Sequence, residues 1–591
     1  MRRIFGIDLR TLALFRIALG VTILWDLINR AQYLPFFYTD RGVMTRAQAI
    51  DWLAPERLSF HLMSGQVWVQ AALLLIAGGI AVALIAGWRT RLMTVLSWVF
   101  LLSLQNRNPI LLQGGDTLLL ILLFWSIFLP LGARFSVNAA LDSSQHDRRA
   151  GDTGYFSAAT AAILLQASYV YFFGALLKTS PEWLPDGTAV YYALHLDSLA
   201  TTAGIWFRQF EAVLHGLTYY VWFLELLTPL LLFSPVLHLP LRLTGQALLI
   251  TMHIGFALFL FIGLFPVISI CSLLLFTPGA VWDWLARRLD TEERTGLAIY
   301  YDGDCTFCYK VCLILRTFCL PAETPILRAQ DDPEIRPLFE AEESWVVRNF
   351  DDRLVTKWSA VNLVLRRSPI FWPIGRLLDL GPLLALCDRL YRVIGNNRMA
   401  LGGITARALP VRELRLQASR PATALVAALT LTVFYWNVLT LPKVSYEAPD
   451  VLAKVFHTVR LAQTWNMFAP HPARSDGWYV VPGALDDGTE VELFTDRRGR
   501  VSFDKPGHVV SYYGDYRMRK YFSRLPQDRY KSQLLNYARH LCRKWNRYGH
   551  GGERQLIRFQ IYYMRETTQL GYAPDTLVRL HLANWRCFPD K

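Results

Sequence analysis

Charge is scarce in this sequence. Charged residues make up 18% of the chain, against 53% hydrophobic and 13% aromatic. That balance argues against an ordinary soluble enzyme and favours membrane spans. Internal repeats and low-complexity tracts are absent, which excludes a repeat architecture. The opening stretch "MRRIFGIDLRTLALFRIALGVTILWDLINR" has no small-residue cleavage site, and Arg16 and Asp26 interrupt its apolar run. It reads as a retained first span, not as a removed signal peptide. At 591 residues the chain is too long for one core, so two to four structural units are expected.

What is present is a series of apolar windows long enough for a hydrocarbon core of roughly 30 Å. They fall at 11–29, 67–87, 92–106, 116–132, 156–178, 212–235, 244–262, 264–286 and 421–441. The pattern predicts a polytopic α-helical membrane protein of about nine spans, divided as 1–289, 290–410, 421–441 and 442–591. Arg2, Arg3, Arg10, Arg89, Arg91, Arg134, Arg148, Arg149, Arg242, Arg287 and Arg288 fall on one side of these windows. Arg30, Arg41, Arg46 and Arg57, offset by Asp40, Asp51 and Glu56, fall on the other. The positive-inside rule then puts the amino terminus in the cytoplasm, and a bacterial inner membrane is the expected location. Eight spans return 290–420 to the cytoplasm, and the ninth sends 442–591 outside. Cys305, Cys308, Cys312, Cys319 and Cys387 thus lie in the reducing compartment, with Cys542 and Cys587 in the oxidising one.

Residues 290–410 carry soluble α/β patterning. "LAIYYDG" is a short strand, the run after Cys305 is helical, "SWVVRNFDDRLVTKW" is a hairpin about Asp351-Asp352, and "SAVNLVLRRS" is a helix. The last segment opens with strands and turn chemistry at Asp486-Asp487-Gly488 and Arg498-Gly499, which predicts a β-rich α+β domain. From Lys443 onward there are 24 Lys and Arg against 15 Asp and Glu, so +9 of the net +14 sits there. Behind a membrane span, such a surface suits anionic lipid headgroups and not nucleic acid. Arg517, Arg519, Lys520, Arg543 and Lys544, interleaved with tyrosines, are the candidate lipid contacts.

In "YYDGDCTFCYKVC" a strand runs through Cys305 into a helix, and free N–H groups and the dipole there favour a thiolate. Cys308, one turn on, can resolve a mixed disulfide. The spacing of Cys308, Cys312 and Cys319 fits helix packing better than a zinc site, so no metal is expected. With Asp302, and with "YRVIGNNR" at 391–398, this stretch resembles the DCC family of thiol-disulfide oxidoreductases. The resemblance covers roughly 297–400. It implies a thioredoxin-like fold, redox-active dithiol chemistry and a cytoplasmic thiol donor. Thioredoxin-like sites usually present a cis-proline, and no proline lies between Pro337 and Pro369.

Ionisable residues inside spans are costly, and each is a functional hypothesis. Here they are Arg16, Asp26, Asp116, Lys178, Glu225 and His253. Lys178 opens "KTSPEWLPDG" at an aromatic-rimmed mouth; the plain reading is a snorkelling helix end. Asp116 can simply cap a helix, and His253 can simply bond a neighbouring one. "LALFRIALGV", "FYTDRGVM", "NPILLQGGDTLLLILLFWSIFLPLG", "YVYFFGALLKTSPEWLPDGTAVYY" and "MHIGFALFLFIGLFP" together resemble the HTTM domain, shared with vitamin K-dependent gamma-carboxylases. The resemblance covers roughly 7–287. It implies that Lys178, ahead of Trp183, is a base acting on a reduced quinone and that His253 is the family's late-span catalytic histidine. Asp116 and Arg16 are taken beside them as supporting residues. A second histidine of the carboxylases has no counterpart, since Gly115 and Asp116 stand there, which argues against glutamate carboxylation itself.

Two readings follow. One is a membrane redox enzyme that joins a quinone-handling domain to a dithiol module, acting on a lipid or on a peptide at the outer face. The other is a non-catalytic assembly or transport protein whose buried charges are structural.

Overall fold

Proline-poor apolar runs fold as helices because a helix satisfies every backbone group internally, which lipid requires. The computed structural model describes residues 1–54, 57–146, 153–498, 501–549 and 554–588. Its first half is helical: α1 (Leu9–Gln32), α2 (Val67–Ala86), α3 (Thr90–Arg107), α4 (Gly114–Ser126), α5 (Ala158–Leu177), α6 (Glu211–Phe233) and α7 (His238–Phe259). A bent pair, α8 (Phe265–Leu273) and α9 (Gly279–Leu289), follows. Asp8 caps α1 by accepting from Arg10 N at 2.8 Å. Gly87 ends α2 with φ 71°, and a Cβ there would sit 2.2 Å from that of Ser136, so only glycine fits.

Among the described residues, six helices are long and apolar enough to cross a membrane: α1, α2, α5, α6, α7 and Arg420–Leu439. A seventh is added if the pair bent by 87° is one span. The windows at 92–106 and 116–132 do not meet that test. The polar end of α3, Gln105-Asn106-Arg107, spoils the first, and α4 is only 13 residues long. Arg148, Arg149, Glu56, Gly499 and Glu553 lie outside the described residues.

The middle segment runs β1 (Ala298–Tyr301), α10 (Thr306–Cys319), β2 (Ile326–Arg328), β3 (Val346–Arg348), β4 (Leu354–Thr356), α11 (Lys357–Arg367), α12 (Gly381–Asn396) and α13 (Arg398–Ala408). The sheet order is β2-β1-β3-β4, with β1 parallel to β2 and the other pairs antiparallel. Its core closes around Ile299, Cys312, Val347 and Val364. The chain then bonds the membrane domain, Arg412 N to Leu141 O at 3.0 Å, before α14 (Arg420–Leu439).

The last segment holds α15 (Asp450–Thr458), β5 (Ser475–Val480), β6 (Pro482–Leu485), β7 (Glu490–Glu492), β8 (Arg497–Arg498), α16 (Tyr516–Arg524), α17 (Lys531–Arg543), β9 (Leu556–Thr567) and β10 (Thr576–Arg586). The strands form one antiparallel sheet in the order β8-β7-β6-β9-β10, with β5 also on β9. Helices α16 and α17 cover it through Phe522, Tyr479 and Tyr537. A disulfide joins Cys542 to Cys587.

Candidate functional site

Lys178 stands where α5 stops. Ser157 caps the far end of that helix with Thr160, and at Lys178 the backbone leaves helical geometry ahead of Pro181 and Pro185. The Lys178 ammonium donates to Glu225 of α6, and both side chains are buried. The Trp183 ring covers the ammonium with its centre 4.8 Å away, and its indole N–H donates to Phe468 O at 3.0 Å. Trp183 is therefore held from the carboxy-terminal domain. Glu182 faces the same domain, bonded by Arg474 and, at 3.2 Å, His471. Desolvation opposes its charge, yet polar contacts from Ser180, Arg474 and His471 outweigh it and hold the carboxyl at about 2.

His253 on α7 sits 2.9 Å from the Tyr171 hydroxyl through Nε2 and packs against Phe256 and Phe265. Tyr171, Gly174 and Lys178 fall on one stripe of α5, so the lysine and the tyrosine lie roughly 10 Å apart along the axis. The fold thus places Lys178 and His253 along one face of α5. It does not bring Asp116 there.

Asp116 does two other things. Its carboxylate closes a capping box on Gln113 N at 3.0 Å, and it bonds Arg30 at 2.5 Å and Arg517 at 3.1 Å. Asp26 completes the cluster, pairing with Arg30 at 2.7 Å and with Arg517. Arg16 is also elsewhere. Buried near the opposite end of α1, it donates to the carbonyls of Leu131, Arg134, Phe135 and Ile85. It fixes the turn after α4 and supports nothing at Lys178.

Residues 6–284 match the HTTM domain. Together with the six helices long and apolar enough to cross a membrane, this match makes the chain an integral membrane protein with an HTTM-type first half. No curated protein and no solved structure matches the chain.

The HTTM domain is closed from its Lys178 side by the carboxy-terminal segment. Residues 461–468 enter between its helices: Gln463 exchanges hydrogen bonds with Gln166 of α5 at 2.7 and 3.2 Å, and Trp465 donates to Gln463 at 2.8 Å. These partners escaped the sequence reading because pairing across 297 positions leaves no local signal. Glu225 was visible as an ionisable residue in a span; its pairing with Lys178 was not.

Of the five cations expected at lipid headgroups, Arg517 and Arg543 meet the HTTM domain instead. Arg517 is buried in the Asp26–Asp116 cluster, and Arg519 is buried within the carboxy-terminal segment near Tyr513, Asp476 and Asp515. Arg543 donates to Gly42 O at 2.8 Å, and Lys544 pairs with Asp496 at 3.2 Å. Lys520 is half-buried, and desolvation together with Arg524 and Arg519 lowers its pKa to about 8. Neighbouring Arg524 donates to the carbonyls of Ile110 and Leu112 at 2.6 and 2.9 Å. An amphipathic cationic helix suits lipid and an acidic protein surface equally in sequence, and the acids of α1 and α4 decided between them.

In the dithiol segment Cys305 is the N-cap of α10, its Sγ accepting from Cys308 N at 3.2 Å. Cys305 is buried and Cys308 half-buried. Burial, and then its contact with Cys305, push the Cys308 thiol up. Asp302 bonds Gln330 at 3.0 Å and pairs with Arg398 at 3.2 Å at the start of α13. Lys310 donates to Thr405 O at 2.9 Å, so α13 lies across α10. Among the described residues no group of three or more His, Cys, Asp or Glu is placed to hold a metal.

Proposed function

We propose that the chain is an integral membrane enzyme whose HTTM domain moves a proton on a reduced quinone or similar lipidic substrate, with Lys178 as the base. The buried Lys178–Glu225 pair under Trp183 carries this reading. It is a base with its own proton acceptor. Passing the ammonium proton to Glu225 leaves a neutral amine, which can take a proton from a substrate hydroxyl in a site closed to water. His253 and Tyr171 line the same stripe and suit orientation of the substrate.

The strand order β2-β1-β3-β4 and the N-cap position of Cys305 support a thioredoxin-like, DCC-type module supplied by a cytoplasmic thiol donor. Counting α3, α4 and the bent pair as crossings gives nine, with the amino terminus inside. The Cys542–Cys587 disulfide supports an outer carboxy-terminal domain. Lys178 and Cys305 then face opposite compartments, so electrons pass between them through a mobile quinone or a partner protein. A peptide at the outer face is the other acceptor this arrangement allows.

The non-catalytic reading draws on Asp116 and Arg16, which are each engaged away from Lys178. Mass spectrometry of quinones and lipids co-purified with the parent, Lys178→Arg and Glu225→Gln separates the two. An enriched quinone or unusual lipid, processed by the parent and by neither variant, is expected. Bulk lipid alone in all three sinks the enzymatic reading.

A further inference from the structure

Two adjoining cavities, about 430 and 380 Å³, open where the inner ends of the spans meet the segment leading to α14. They share Arg91, Asn138 and Leu414 as a common wall. Four arginines line them: Arg89, Arg91, Arg412 and Arg415. Among the described residues the linings contain no Asp or Glu and none of the four is ion-paired; Asp142, next to lining Leu141, is engaged by Leu414 N. Glu413 is the carboxylate adjacent in sequence and is exposed.

Below this rim the walls turn apolar. The first cavity has Trp88, Leu92 and Leu409, and the second runs down Ile127, Phe128 and Ala158 to Val426. Val426 lies six residues inside α14, roughly 9 Å below its start. Trp88, an interfacial residue by type, donates to Ala408 O at 2.9 Å and carries Arg89 over its ring at 5.0 Å. The site therefore spans the depth at which lipid changes from headgroup to chain.

We infer that these cavities hold an anionic phospholipid, its phosphate among the arginines and an acyl chain along α5 and α14. Four unpaired cations select negative charge over a zwitterion. The apolar floor fits an acyl chain and gives a free phosphate no contact. A lipid here bridges the HTTM domain and the connection from the dithiol segment, which meet at this place through Asp142 and Leu414 at 3.0 Å.

The test uses the full chain in nanodiscs of phosphatidylcholine with graded phosphatidylglycerol, reading retained lipid by native mass spectrometry. The parent should retain phosphatidylglycerol over phosphatidylcholine. Arg91→Gln/Arg412→Gln should weaken that retention about thirtyfold, from about 1 kcal/mol per cation. Arg89→Gln/Arg415→Gln, made on exposed side chains, should do the same, whereas Arg336→Gln/Arg353→Gln in the dithiol segment should not. Millimolar inorganic phosphate should leave the lipid in place. Equal retention of the two lipids, unchanged retention in both cavity variants, or displacement by phosphate alone would overturn the inference.

Discussion

Arg517 reaches Asp26 across 491 positions of chain and binds it inside the protein, with no solvent around either group. With Arg30 and Asp116 they form two acids and two guanidiniums, a neutral set. Removing one member leaves an uncompensated charge, which costs more than the intact set contributes. Arg517→Met should lower stability by about 3–5 kcal/mol, read as a fall in the thermal midpoint in detergent. Adding Asp116→Asn restores neutrality and should recover part of the loss. An unchanged midpoint in the single variant would refute the account.

Lys178 separates charge from proton transfer. Arginine keeps the positive partner for Glu225 but does not give up its proton. Lys178→Arg should therefore insert and fold like the parent while losing about 10²- to 10⁴-fold in turnover. Lys178→Met should lose both turnover and stability, because it strands Glu225. Full complementation of a knockout by Lys178→Arg is the result that ends the base assignment.

Asp476 gives a pH dependence of definite sign. Burial, with Asp197 and Glu566 nearby, lifts its carboxyl to about 6 despite the bond from Ser198 N. An unfolded carboxyl ionises near 3.8, so the unfolded state releases its proton first as pH rises. The carboxy-terminal domain should lose up to about 3 kcal/mol between pH 4 and pH 6 from this group, then level off. Asp476→Asn should flatten that slope in melts taken across the range. Glu182 acts oppositely: its contribution holds above its ordinary 4.5 and fades as pH falls toward 2.

Thiol labelling tests sidedness. An impermeant maleimide on intact cells should miss Cys305 and Cys308, and should label Cys542 and Cys587 only after reduction. In permeabilised cells Cys308 should react slowly below pH 9, since its thiol is pushed up by burial. Ready labelling of Cys308 from outside would reverse the assigned topology.

Much of the architecture was legible because it rests on local patterns. The strand before Cys305, the hairpin about Asp352 and the turn at Gly488 follow from periodicity and turn chemistry, and each is where those rules place it. Asp116 shows the limit. Its capping role follows from "QGGD" alone, but its pairing with Arg30 and Arg517 depends on which helices touch. Arg517 shows the same limit: composition tells that a charge needs a partner, not whether lipid or protein supplies it. Length and apolarity alone do not certify α3 and α4 as spans, because helices buried among others need less of both than ones that face lipid.

The insertion of 461–468 between α5 and α14 sets an order on biosynthesis. When the ribosome has made α1 to α7, Asp26 and Arg30 are already in the bilayer, while Arg517 and Gln463 are not yet synthesised. The early helices must wait, incompletely neutralised and unplugged, until more than two hundred further residues have emerged and the last segment has been delivered. A message truncated after α14 would then yield helices that insert but never mature, and membrane quality-control proteases would see them as unfinished. Co-expressing residues 442–591 as a separately exported chain would rescue such a fragment only if docking can occur after insertion is complete.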